Sequence, residues 1–342
     1  MIDILGATGH SLGAWAGFIT FVLFLLLIDL GLLSKKGDAN IPVGEALLRS
    51  FGFFLLAMLF GAGIYHYEGA QKATEFVTGY LIELSLSVDN IFVFVLIFTH
   101  FAVPQKYQHR VLFWGILGAL VLRGLMIGLG AALIQKFDWI LYFFGAFLIV
   151  SGIKMLFAAD AEPDIENNRV VTFMRRHFRV TEDFSGNRFF KKIRGKIWIT
   201  PLFVVLVLVE ISDLVFAVDS IPAIFAITHD PFIVFTSNVF AILGLRSLYF
   251  ALVGVVHRFH YLKYGLSLVL MLIGAKMLIN GYFKAHVIDT PTALLATAAL
   301  IFGSMAISLF KTKDKGPAVI NTGWVPGSGE KKKTVRARKK KR

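Results

Sequence analysis

IWITPLFVVLVLVEISDLVFAVDSIPAIFA, residues 197–226, is the stretch from which the rest of the chain is read. It is almost continuously apolar and exceeds the roughly 20 residues a helix needs to cross a bilayer core. It lacks the period-two alternation of a transmembrane barrel strand. In lipid the backbone has to satisfy its own hydrogen bonds, so a helix is expected. Three acids, Glu210, Asp213 and Asp219, interrupt the run. An ionised group near the bilayer centre costs at least about 2.5–3.5 kcal/mol. Acids persist in such a place when they pair or do work.

Working outward, apolar runs of similar length recur at 13–33, 43–65, 76–101, 110–134, 138–158, 234–256, 262–283 and 291–310. With the first run this makes nine expected spans. Hydrophobic residues make up 56% of the 342, above the roughly 45–50% of a soluble domain. The expected fold class is an all-α polytopic membrane protein. The chain has no cysteine, which excludes disulfides, thiolate metal sites and cysteine nucleophiles. No phosphate-binding glycine loop, nucleophile elbow or zinc-protease motif is present. The chain is therefore expected not to be an enzyme, to hold no organic cofactor and not to drive transport with ATP. Met1–His10 lacks the basic region of a cleaved signal peptide.

The +13 formal charge serves topology. With the N-terminus outside, 27 Lys and Arg fall in inner loops and the C-terminal tail, and three, Lys72, Lys136 and Lys284, fall outside. That bias puts the tail in the cytoplasm. Residues 1–75 are then two N-terminal spans, 76–158 a first three-helix repeat and 159–196 a charged cytoplasmic loop. Residues 197–283 form a second repeat and 284–310 a last span. The Gly- and Lys-rich tail, 311–342, is expected to be disordered and to touch anionic lipid rather than nucleic acid. Nothing in the sequence speaks to oligomeric state.

The repeat rests on four landmarks in one order. Glu83-Leu-Ser-Leu-Ser-Val-Asp89-Asn-Ile matches Asp213-Leu-Val-Phe-Ala-Val-Asp219-Ser-Ile. Thr99-His100 matches Thr228-His229, Leu122-Arg123 matches Leu245-Arg246, and Gly152-Ile-Lys154-Met-Leu matches Gly274-Ala-Lys276-Met-Leu. Three spans per copy is an odd number, so the copies are expected to be inverted about the membrane plane. Transporters of this architecture place their site near the midplane between the repeats.

Spans one, three and six carry the acids Asp29, Glu83, Asp89, Glu210, Asp213 and Asp219, with Ser85, Ser87, Asn90, Ser212 and Ser220 beside them. An all-oxygen donor set suits magnesium, calcium or manganese over zinc or copper. Glu83 and Asp89 are six residues apart, about 9 Å along a helix and about 120° around it. One unbroken helix cannot aim both at one ion, so a break or a second role is expected. Pro222 weakens the helix beside Asp219. The division read from this is Asp89 and Asp219 as core ligands, with Glu83 and Asp213 as ligands or proton carriers. Arg123 and Arg246 are counter-ions, gates or structural partners. Lys154 and Lys276, nearer span ends, are expected to snorkel or to compensate charge. His100 and His229 are expected at the interface.

The two acidic motifs, Glu83 to Ile91 and Glu210-Ile-Ser-Asp-Leu-Val-Phe-Ala-Val-Asp-Ser-Ile-Pro-Ala, resemble the TerC family of bacterial membrane proteins over about residues 10–310. The resemblance implies manganese efflux by proton exchange at the inner membrane. It marks Glu83, Asp89, Asn90, Glu210, Asp213 and Asp219 as the metal path, and Asp29 looks like the family's first acidic span. From the donor set itself, Asp29, Ser87 and Ser220 are further path or relay candidates. The family name comes from tellurium resistance. The rival expectation is a membrane scaffold or assembly factor in tellurium or metal stress, in which the buried acids are structural.

Overall fold

The computed structural model describes residues 10–33, 43–137, 139–157, 169–253, 261–283 and 287–311. The tail beyond Lys311, the acids of 159–168, Lys35, Lys36, Arg258, Lys284 and the side chain of Asp29 lie outside the described residues. Ten helices run in order: α1 (Leu12–Leu33), α2 (Val43–Glu68), α3 (Ala70–His100), α4 (Gln105–Lys136), α5 (Ile140–Phe157), α6 (Arg169–His177), α7 (Pro201–Phe225), α8 (Pro231–Leu252), α9 (Leu262–Phe283) and α10 (Thr290–Lys311). A hairpin of β1 (Phe190–Ile193) and β2 (Lys196–Ile199) lies between α6 and α7. Among the described residues, eight helices are long and apolar enough to cross a membrane, and a shorter apolar helix covers Leu12–Ile28 of α1. The chain is thus an all-α polytopic membrane protein, with one small hairpin among the described residues.

Local chemistry sets several boundaries. Pro201 and Pro231 open α7 and α8, where their missing N–H costs nothing. Asp230 caps α8 by accepting from Phe232 N at 3.0 Å. Gly69, at φ +92°, makes the left-handed turn between α2 and α3.

Three expectations are corrected. Helix α3 begins at Ala70, six residues ahead of the apolar run, because polar helix formers such as Gln71, Lys72 and Glu75 extend it beyond its hydrophobic part. The 159–196 segment holds α6, β1 and the first residue of β2, and the rest of β2, Ile197–Ile199, occupies the start of the expected sixth span, 197–226. The hairpin is fastened by Thr200 N to Phe189 O, 2.9 Å, and Ile199 N to Arg179 O, 2.9 Å. Helix α7 runs through Pro222 without a break. Pro222 lies one turn from the helix end, and its carbonyl still accepts from Ala226 N at 3.0 Å.

Matched helices pack on one another and run antiparallel. Gly79 of α3 approaches Ile224 of α7 while Asn90 meets Asp213. Along α4 and α8, Arg123 meets Asn238 and His109 meets Arg246. Along α5 and α9, a Cβ added to Gly152 would lie 2.8 Å from Ser267 O, and one added to Gly274 would lie 2.7 Å from Gly145 O. The register that matches Gly152 with Gly274 also matches Gly145 with Ser267, so these two contacts exchange under it. Small residues permit such backbone approach in a bilayer.

The two ends of the bundle differ. At one end Phe98, Phe101, Phe189, Tyr249 and Phe250, with Val171 and Met174 of α6, form a continuous apolar seal. The other end opens into a cavity of about 1450 Å³ bounded by the α2–α3, α4–α5, α7–α8 and α9–α10 connections.

Candidate functional site

Four helices bring their polar side chains to one buried point. Arg123 of α4 forks onto Asp213 of α7, with Nη2 donating to Oδ1 at 2.7 Å and Nε to Oδ2 at 2.9 Å. Its Nη1 donates to Glu83 of α3 and, at 3.2 Å, to Asn238 Oδ1 of α8. Asn238 Nδ2 donates to Glu83 Oε2 at 3.1 Å, and Asn90 Nδ2 to Asp213 Oδ1 at 3.3 Å. Glu83 is 0% exposed, Arg123 2% and Asp213 4%. Bidentate geometry is what makes an ion pair tolerable at such depth.

Glu210 lies one turn before Asp213 on α7 and is half-buried. Gly118 of α4 stands directly against its carboxylate, where any Cβ would collide. Formal charges at this point are three negative, Glu83, Glu210 and Asp213, against one positive, Arg123. Among the described residues, six buried oxygens on α3 and α7 have no hydrogen-bond partner: Glu75 Oε2 towards the cavity, and five around the buried acids, Ser87 Oγ, Asp89 Oδ2, Asn90 Oδ1, Glu210 Oε2 and Ser220 Oγ. Buried polar atoms are seldom left so.

Asp89 and Asp219 stand apart from the arginine. Asp89 is buried on α3 within electrostatic reach of Lys263. Asp219 accepts from Ser151 Oγ of α5 at 2.8 Å and lies within reach of Lys154. The acids six apart on α3 and α7 therefore take different roles: Glu83 and Asp213 meet on Arg123, while Asp89 and Asp219 face α9 and α5. Arg246 donates to His109 Nδ1 at 3.3 Å. With Asp213 it lines an enclosed cavity of about 10 Å³, room for about one water.

Lys154 is exposed, as snorkelling requires. Lys276 is only 3% exposed and lines the large cavity, so its expected snorkelling is corrected. His100 is half-buried and His229 is exposed in the cavity wall. Sequence reasoning did not single out Asn238, although an amide in an apolar span is a visible signal.

The cavity wall carries a second polar group. Lys72 Nζ donates to Asp230 Oδ2 at 3.0 Å and lies 3.4 Å from Glu75 Oε2. His10 Nε2 is 3.1 Å from Asp230 Oδ2. Burial alone would raise the Asp230 carboxyl, but the hydrogen bonds from Lys72 and His10 outweigh it and hold it below the ordinary carboxylate range.

The profile of the family described as "Integral membrane protein TerC family" matches residues 68–316. An uncharacterized membrane protein of Myxococcus xanthus is 48% identical over 303 residues, covering 89% of this chain and 94% of its own. A protein of Escherichia coli strain K12, provisionally named membrane-bound redox modulator Alx, is 49% identical over 277 residues, 79% of this chain and 86% of its own. An uncharacterized membrane protein of Rickettsia felis is 44% identical over 298 residues, 87% and 98% of the two chains. No solved structure matches the chain.

Proposed function

The chain belongs to the TerC family of integral membrane proteins, and we propose that it exports a hard divalent cation, manganese foremost, across the bacterial inner membrane in exchange for protons. The observation that carries this reading is the oxygen-only set buried on α3 and α7. It has three acids against one arginine, and five oxygens lack partners. Carboxylate, amide and hydroxyl oxygens without thiolate or imidazole suit a hard ion. Manganese is the member of that class which the family resemblance implies.

Charge gives the coupling. With Glu83, Glu210 and Asp213 ionised, the buried point carries a formal excess of two negative charges over Arg123. One divalent cation or two protons would neutralise it, so exchanging one for the other keeps the interior neutral. Arg123 holds Glu83 and Asp213 when the ion is elsewhere. Asp89, Glu210, Asn90, Ser87 and Ser220 offer free oxygens, and Asp219 with Ser151 supplies a further station. The inverted repeat belongs to this proposal, supported by the antiparallel packing of all three matched helix pairs. So does the orientation. The sealed end is the end of Lys106, Arg110 and the basic α6–hairpin segment, hence cytoplasmic by charge bias, and the cavity opens outward.

Manganese uptake into inverted vesicles tests the reading, with Asp89→Asn, Asp213→Asn and Asp219→Asn beside the wild type. Each change removes a charge at nearly constant volume. Wild type is expected to accumulate the ion, and each folded variant to lose at least about tenfold of the rate. Equal behaviour of all four would make the acids structural and favour the scaffold role.

A further inference from the structure

Away from the buried acids, one group of side chains on the described residues has metal-ligand spacing. His10, Glu68 and Asp230 each offer one donor atom, and these atoms lie within 4.8 Å of one another. His10 Nε2 is 3.1 Å from Asp230 Oδ2 and 3.7 Å from Glu68 Oε2. Two ligands each about 2.1 Å from one ion stand about 3.0–3.5 Å apart, and the two His10 separations fall close to that range.

We propose that His10, Glu68 and Asp230 form a second, outer metal site at the mouth of the cavity, for a first-row divalent ion. Three separate segments build it, and each is held. The His10 ring stacks on Phe232 with centroids 4.4 Å apart. Glu68 ends α2 immediately before the left-handed turn at Gly69. Asp230 is fixed by its cap on α8. One imidazole nitrogen with two carboxylates favours a first-row transition ion over magnesium and calcium. Three protein ligands, with the cavity beside them, leave a coordination position open to water or an incoming ligand.

Two neighbours support this choice. Lys72 donates to the same Asp230 oxygen that would bind metal, so its ammonium competes with the ion. Glu75 gives that ammonium somewhere to go: its carboxylate is 5% exposed, its Oε2 makes no hydrogen bond, and that oxygen lies 3.4 Å from Lys72 Nζ. Metal entry therefore pushes Lys72 from Asp230 towards Glu75. This site does not depend on the chain being a transporter.

The test is Mn2+ binding to the purified full-length protein, read from the loss of the free-ion paramagnetic resonance signal. His10→Phe keeps the ring stack, Asp230→Asn keeps the cap, and Asp89→Asn touches only the buried acids. His10→Phe and Asp230→Asn are expected to weaken one site at least about tenfold, the scale on which even outer-shell partners act. Lys72→Ala is expected to tighten that site, and Asp89→Asn to leave it unchanged. Unchanged binding in His10→Phe and Asp230→Asn, weaker binding in Lys72→Ala, or loss of all binding in Asp89→Asn would each overturn the proposal.

Discussion

Arg123 and Lys72 do the same job in different surroundings. Each places one basic group between two carboxylates: Arg123 between Glu83 and Asp213, Lys72 between Glu75 and Asp230. Arg123 is 2% exposed and Lys72 33%. In the bilayer interior the planar fork satisfies two acids and an amide at once with little freedom left to lose. At the wet mouth a single flexible ammonium suffices, and it can let go. Depth decides both the residue type and whether the contact can exchange.

The sharpest way to break this comparison is to remove both bases. Arg123→Met leaves two buried carboxylates facing each other without a counter-charge and is expected to cost about 3–5 kcal/mol. Lys72→Met is expected to cost about 0–1 kcal/mol. Thermal unfolding in detergent checks both, and equal losses would sink the argument from depth. Next in size is Gly118→Ala, whose methyl runs into the Glu210 carboxylate. The carboxylate is the far end of a flexible, half-buried side chain that can swing aside, so the cost is about 1 kcal/mol, and the double variant with Glu210→Ala should regain most of it. If it does not, the glycine serves something other than the acid.

The smallest effect concerns pH. The Asp230 carboxyl is held below its ordinary value by Lys72 and His10, against the upward push of burial. A carboxylate with a lowered folded value adds stability that is present above its unfolded value, about 3.9, and is lost as pH falls through the folded one. Unfolding followed from pH 6 to pH 3 should therefore show a loss of stability at the acid end that is reduced in Asp230→Asn. Identical profiles would mean that the mouth cluster adds no stability of its own.

Much of this was legible in the sequence because lipid leaves a plain signature. The nine expected runs fall on α1 to α5 and α7 to α10, and Glu83, Asp89, Asp213 and Asp219 announce themselves as acids where acids are expensive. Which acid meets which base was not legible. Periodicity shows that Glu83 and Asp89 point apart, but not that Arg123 lies on the Glu83 side and α9 on the other. Asn238 is an amide in an apolar span, a visible signal but a weaker one than a charge, and only the fold shows that it meets Glu83 and Arg123. The start of α3 was misplaced because hydropathy follows the bilayer, while Gln71 and Lys72 follow helix propensity past it. The β1–β2 hairpin hid inside a charged segment too short for a strand pattern. His10, Glu68 and Asp230 come from three distant stretches, and only the fold brings them within reach of one ion.

The glycine crossing between α5 and α9 has a mechanical consequence. Backbone meets backbone at Gly145, Gly152, Gly274 and Ser267, with Leu278, Met271 and Ile149 wedged against the same glycines, so little room is left for sliding or rolling. A crossing this closely keyed favours any movement of the two helices as one piece. A bulky residue there would jam the crossing without touching a single charged group.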